Sequence, residues 1–95
     1  MEIKDFIPKG EQNKITSAEI SKLTNLSTPM IRRLVNTARV NFVPIASDSE
    51  GYFIAETPED LNHAIAHINS RIHKMIQARE GLKKAQKLME ENLNV

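Results

Sequence analysis

Ser27-Thr28-Pro29-Met30-Ile31-Arg32-Arg33-Leu34-Val35-Asn36-Thr37-Ala38-Arg39 carries two patterns at once. Ile31, Leu34, Val35 and Ala38 recur at the spacing that lines one side of a 3.6-residue helix. Thr28 is read as the N-cap and Pro29 as the first helical residue, where a missing N–H needs no partner. The opposite face then carries Pro29, Arg32, Arg33 and Asn36, with Arg39 towards the far end. Arg and Asn are the side chains that pair bidentately with guanine and adenine edges. A solvated helix face is the plainer reading of the same residues, so the flanks have to decide between them.

Upstream, Thr16-Ser17-Ala18-Glu19 has the form of a capping box. It predicts a short helix with Ala18, Ile20 and Leu23 available for burial. Thr24-Asn25-Leu26-Ser27 then supplies a tight polar turn around one apolar residue. Two short helices joined this way form a helix-turn-helix pattern. Downstream, Asn41-Phe42-Val43-Pro44-Ile45-Ala46 and Tyr52-Phe53-Ile54-Ala55 are β-prone runs flanking the turn residues Ser47-Asp48-Ser49-Glu50-Gly51. A hairpin in that place is the order of a winged helix. Before it all, Ile3, Phe6 and Ile7 are expected to dock on the domain, Pro8-Lys9-Gly10 to break that segment, and Lys14-Ile15 to be a possible short strand.

Residues 10 to about 57 resemble the winged helix-turn-helix domain of small proteins from phages and related mobile elements of Gram-positive bacteria. The resemblance lies in Gly10-Glu11-Gln12-Asn13, Ile15-Thr16-Ser17-Ala18-Glu19-Ile20, Ile31-Arg32-Arg33-Leu34-Val35, Arg39, Pro44-Ile45-Ala46-Ser47 and Gly51-Tyr52-Phe53-Ile54-Ala55. This winged-helix type is also similar to the DNA-binding portion of biotin-operon-type repressors. The resemblance implies double-stranded DNA as the partner, in transcription regulation or in DNA replication.

Thr57-Pro58-Glu59-Asp60 caps the next helix, with Thr57 as N-cap, Pro58 at the first position and acids in the first turn. Leu61, Ile65, Ile68, Ile72, Met75, Arg79, Leu82, Gln86, Met89 and Leu93 follow in alternating steps of four and three. That is a coiled-coil register interrupted by Arg79 and Gln86. It passes through Gly81 unshifted, which favours one continuous helix over a break there. Leu61, Ile65 and Ile68 are assigned to the domain's own core. Ile72, Met75, Leu82, Met89 and Leu93 are assigned to dimerisation. The expected fold is mainly α with a small β-hairpin (α+β), a winged helix-turn-helix followed by a long C-terminal helix. Residues 1–57 are read as the winged domain with its N-terminal arm, and residues 58–95 as the long helix.

Composition bounds the function. The 95-residue chain has a formal net charge of +1, too small for a polycation. Residues 14–55 nevertheless hold five basic side chains (Lys14, Lys22, Arg32, Arg33, Arg39) against three acidic ones (Glu19, Asp48, Glu50). Without cysteine there is neither a disulfide framework nor a thiolate site. No long apolar run or signal-peptide pattern is present, so the expectation is a cytoplasmic protein, here of the bacterial host, without membrane contact. His63 and His67 have the spacing of two metal ligands on one helix face, but His73 projects elsewhere, and solvated histidines are the reading adopted. Neither a nucleophile-base arrangement nor a phosphate-cradling glycine loop suggests an enzyme or a cofactor.

The first functional class is therefore a DNA-binding homodimer. Arg32, Arg33 and Asn36 meet the major groove, Thr28 and Lys22 the flanking phosphates, Arg39 the end of the helix, and Ser47 and Ser49 the wing contact. The second is a protein-interaction module whose acidic wing and helical tail bind a host or phage protein.

Overall fold

The computed structural model describes residues 2–93, Leu93 by its backbone only, so the assignment of the Leu93 side chain to a dimer seam lies outside the described residues. The elements are helices α1 (Ser17–Thr24) and α2 (Thr28–Val40), strands β1 (Ile45–Asp48) and β2 (Gly51–Ile54), and helix α3 (Asn62–Leu93). This is the expected α+β architecture: two helices, a hairpin and a long C-terminal helix. Short 3-10 turns at Ile3–Phe6, Glu11–Asn13 and Pro58–Leu61 complete it. The chain divides into two compact units, Met1–Ile65 and Ala66–Val95.

Within the first unit, local chemistry sets each boundary. The capping box closes α1 as expected: the Thr16 hydroxyl accepts from the Glu19 N–H at 3.1 Å, and the Glu19 carboxylate accepts from the Thr16 N–H at 3.1 Å. Asn25 ends that helix in the left-handed conformation (φ 60°). Ser21 Oγ then donates to the Leu26 carbonyl at 2.7 Å and holds the turn shut. The cap of α2 corrects the sequence reading. Ser27, not Thr28, accepts the Met30 N–H (3.3 Å), Thr28 is the first helical residue, and Pro29 follows it. Pro29 tolerates the shift because the N–H groups of the whole first turn lack helical acceptors.

The second correction concerns β1, which begins at Ile45 rather than Asn41. The β-prone Phe42 is used instead to stop α2. Its N–H bonds to the Arg39 carbonyl and that of Val43 to the Ala38 carbonyl, both at 3.0 Å, the paired bonds of a Schellman motif. Phe42 takes the left-handed position (φ 70°) that glycine usually fills, and its side chain is 93 % exposed.

β1 and β2 pair antiparallel from Ile45↔Ile54 to Asp48↔Gly51, with Ser49 and Glu50 at the tip. The possible strand at Lys14-Ile15 shortens to one bridge, with reciprocal bonds between Ile15 and Tyr52 of 2.9 and 2.8 Å. Gly51 sits under this bridge. It has φ 148°, and a Cβ there would meet the Ile15 carbonyl oxygen at 2.5 Å. Further along, the Pro8 carbonyl accepts from the Ile54 N–H (2.8 Å) and the Gly10 N–H donates to Ile54 (3.0 Å), so the first residues cover the edge of β2.

The core is built from Ile3, Ile7, Ile20, Ile31, Val35 and Ile45, with Phe6, Ile15, Leu26 and Leu34 packed against it. Ile3 and Ile7 dock on the domain as expected. Of the three residues proposed for burial on α1, only Ile20 is buried; Ala18 is exposed and Leu23 is 64 % exposed. Around the start of α3, the buried side chain is Ala64, while Ile65 is 53 % exposed and Leu61 and Ile68 are half-buried. Thr57 caps a 3-10 turn rather than α3 itself, and the Asp60 carboxylate reaches back to the N–H groups of Glu56 (2.9 Å) and Thr57 (3.2 Å).

In the second unit α3 runs unbroken through Gly81, which has open space around it. Met75, Ile76, Leu82, Leu88 and Met89 are exposed along it.

Candidate nucleic-acid interface

Burial of Ile31 and Val35 fixes the rotation of α2. Pro29, Arg32, Arg33, Asn36, Thr37 and Val40 consequently line a shallow depression on its outer face. The structure thus brings together Arg32, Arg33 and Asn36, all exposed, as the helical projection expected. The depression starts from the N-terminal turn of α2, where Thr28 is exposed. Ser27 accepts the Met30 N–H and Pro29 has none, so what that turn offers beyond the helix dipole is the Thr28 hydroxyl and N–H. Lys22, on the helix before, is exposed as well.

Two of the chosen residues have an internal task instead. Arg39 Nε donates to the Ile45 carbonyl at 2.9 Å, and its Nη2 donates to Ser47 Oγ at 3.0 Å. Arg39 therefore ties the end of α2 to β1, with Ser47 as its acceptor. Ser49, at the hairpin tip, is exposed.

The residue that sequence reasoning missed is Lys14. Its ammonium pairs with Asp48 and lies 3.4 Å from a Glu50 oxygen and 3.9 Å from Glu11. The ammonium hydrogen-bonded to Asp48 holds that carboxyl below the usual range, and the Glu50 N–H helps by donating to Asp48 at 2.8 Å. The same pairing raises Lys14. Asp48 is thus half-buried against Lys14, while Glu50 and Glu11, which share the same ammonium, stay exposed and leave the cluster net acidic. No short-range pattern links Lys14 to Asp48, because the two meet only when Ile15 pairs with Tyr52.

His63 and His67 are exposed on α3, and no group of three or more His, Cys, Asp or Glu side chains able to hold a metal occurs among the described residues. None of the described helices is long and apolar enough to cross a membrane. Compared with known protein families, curated proteins and solved structures, the chain matches none.

Proposed function

We propose that the chain is a sequence-specific double-stranded DNA-binding protein, a transcriptional regulator or replication-origin binder of phage or mobile-element type, acting as a homodimer through α3. One observation carries the reading: Arg32, Arg33 and Asn36 stand exposed together on one side of a helix whose other side, at Ile31 and Val35, is sealed in the core. A helix held this rigidly can present a fork of guanidinium donors and a carboxamide to base edges without reordering. Thr28 and Lys22 are placed for phosphate oxygens flanking that face, and Ser49 for backbone contact from the wing. Arg39 and Ser47 support the surface by fixing β1 to α2. The alternative, a winged scaffold for a host or phage protein, draws on the near-neutral charge, the helical tail and the acidic wing, where Glu11, Asp48 and Glu50 share the single cation Lys14.

The test is a mobility shift on duplexes selected from a random pool, read at about 50 and 200 mM salt. The expected result is retention of a defined sequence with affinity that falls steeply as salt rises. No selected sequence, or binding indifferent to salt, overturns the reading.

A further inference from the structure

Charge is divided unevenly between the two units. Residues 1–65 carry seven basic side chains against nine acidic ones, a net of −2. The positive excess lies further on. The seventeen residues from Arg71 to Lys87 hold Arg71, Lys74, Arg79, Lys83, Lys84 and Lys87 against the single acid Glu80, a net of +5. All seven charged side chains are exposed on α3. Glu80 occupies two of the cations, with one oxygen 3.1 Å from Arg79 Nε and 3.8 Å from Lys83 Nζ. Arg71, Lys74, Lys84 and Lys87 make no ion pair among the described residues.

At about 100° per residue these four cations spread over roughly 200° of the helix circumference, and Ile72, Met75, Ile76 and Leu82 take up the rest. From Arg71 to Lys87 the helix extends about 24 Å at about 1.5 Å per residue. Duplex DNA carries one phosphate charge per about 1.7 Å of its axis, so a row of flexible cations of that length meets a matched row of anions. Each phosphate neutralised releases a condensed counterion, the term that supplies sequence-independent affinity. The first unit, with its net negative charge, is poorly equipped to supply that term, whatever Arg32 and Arg33 recognise. An anionic membrane is the other extended surface of that charge, and α3 suits it badly. Arg79 stands within the apolar side, and Asn62–Leu93 contains no Trp, Tyr or Phe to sit at a lipid interface.

We propose that Arg71, Lys74, Lys84 and Lys87 form a sequence-independent contact for the phosphate backbone of duplex DNA. The inference rests on the DNA part of the reading above and uses neither base recognition by α2 nor the homodimer. A failure to select a defined sequence therefore leaves it standing.

The test uses the full-length chain and a random-sequence duplex, with affinity measured between about 50 and 200 mM salt. Arg71→Gln, Lys74→Gln, Lys84→Gln and Lys87→Gln are combined in one variant, which keeps good helix formers in α3, and circular dichroism checks that the helix persists. The slope of log affinity against log salt should become shallower by about 2 to 4, as the loss of four phosphate contacts requires. A smaller change overturns the inference, even where a selected duplex is bound tightly. Glu80→Gln frees Arg79 and Lys83 and should raise affinity. Glu59→Gln makes the same one-charge change at an exposed position of the first unit and should not. Equal gains would assign the effect to net charge and overturn the inference. So would loss of binding to phosphatidylserine vesicles in the four-residue variant with its DNA binding unmoved.

Discussion

Ile20 and Ile31, in the first unit, are fully buried; Met75 and Leu82, in the second, are 71 % and 72 % exposed. All four are apolar side chains at helical spacing. In the first unit α1 and α2 face one another, the hairpin and Ile3 and Ile7, so each apolar stripe finds a second surface. From Ala66 onward most of the apolar side chains of α3, Ile72, Met75, Ile76, Leu82, Leu88 and Met89 among them, are exposed. Periodicity therefore specifies a helix and the face it has to offer, while burial depends on whether the chain brings something back to cover that face.

The sharpest way to break this contrast is to truncate one residue from each region. Ile31→Ala removes atoms that water never touches and should destabilise the first unit by about 2–5 kcal/mol. Leu82→Ala should leave that unit's transition in place and weaken self-association. Tyr52 is the single tyrosine and the chain has no tryptophan, so intrinsic fluorescence on heating reports the first unit alone. Equal losses in both variants would mean that the two regions unfold as one.

A second comparison separates surface from support within α2. Arg33→Ala and Asn36→Ala should each lower affinity for a selected duplex by about 1–3 kcal/mol, with the Tyr52 transition unmoved. Arg39→Ala should lower stability as well, because the Ile45 carbonyl and Ser47 lose their donor. Titrations of DNA alongside thermal melts distinguish the two kinds of residue; a stable Arg39→Ala chain would return that side chain to the surface set.

Gly51→Ala should destabilise the first unit by about 1–3 kcal/mol, through the strained φ and the approach of the new methyl to the Ile15 carbonyl oxygen. Amide exchange at Tyr52 would speed up first. Unchanged protection would show that the Ile15 bridge yields without loss.

The smallest expected effect is with pH. Asp48, held by Lys14, and Glu19 and Asp60, held by backbone N–H groups, all lie below their ordinary values. Depressed carboxyls add stability at neutral pH that disappears as pH falls through about 4 and below. Lys14 lies above its ordinary 10.5, so its share is complete below that value and is lost only as pH rises past it. Asp48→Asn should flatten part of the acid decline and leave that of Asp60 intact, as urea midpoints at pH 3, 4 and 7 would reveal. An unchanged acid profile would mean that the Lys14 pair contributes nothing.

What could be read beforehand follows the range of the interactions. The capping box at Thr16 and Glu19, the outward face of Arg32, Arg33 and Asn36, the hairpin and the continuity of α3 all rest on residues a few positions apart. They were legible from spacing. The β propensity of Phe42 pointed to a strand, but the need to end α2 overrode it, and a non-glycine left-handed cap leaves no sequence mark. The internal uses of Arg39 and Lys14 depend on β1 and β2 being in place, and no local pattern separates a solvated cation from one that fastens a strand. The heptad register of the long helix points to the bulkier Ile65, but the segment before it is a 3-10 turn, and it is Ala64 that faces inward.

The covering of β2 by the first residues of the chain has a consequence in time. Pro8, Gly10 and Ile15 are made first, yet their partners Ile54 and Tyr52 leave the ribosome only after α1, α2 and β1. Helix contacts are local and can form as each turn emerges, whereas this pairing must close a loop across most of the first unit. Ile3 and Ile7 can settle on α2 as soon as it is made, but the backbone groups of Pro8, Gly10 and Ile15 find their strand partners only once the hairpin follows.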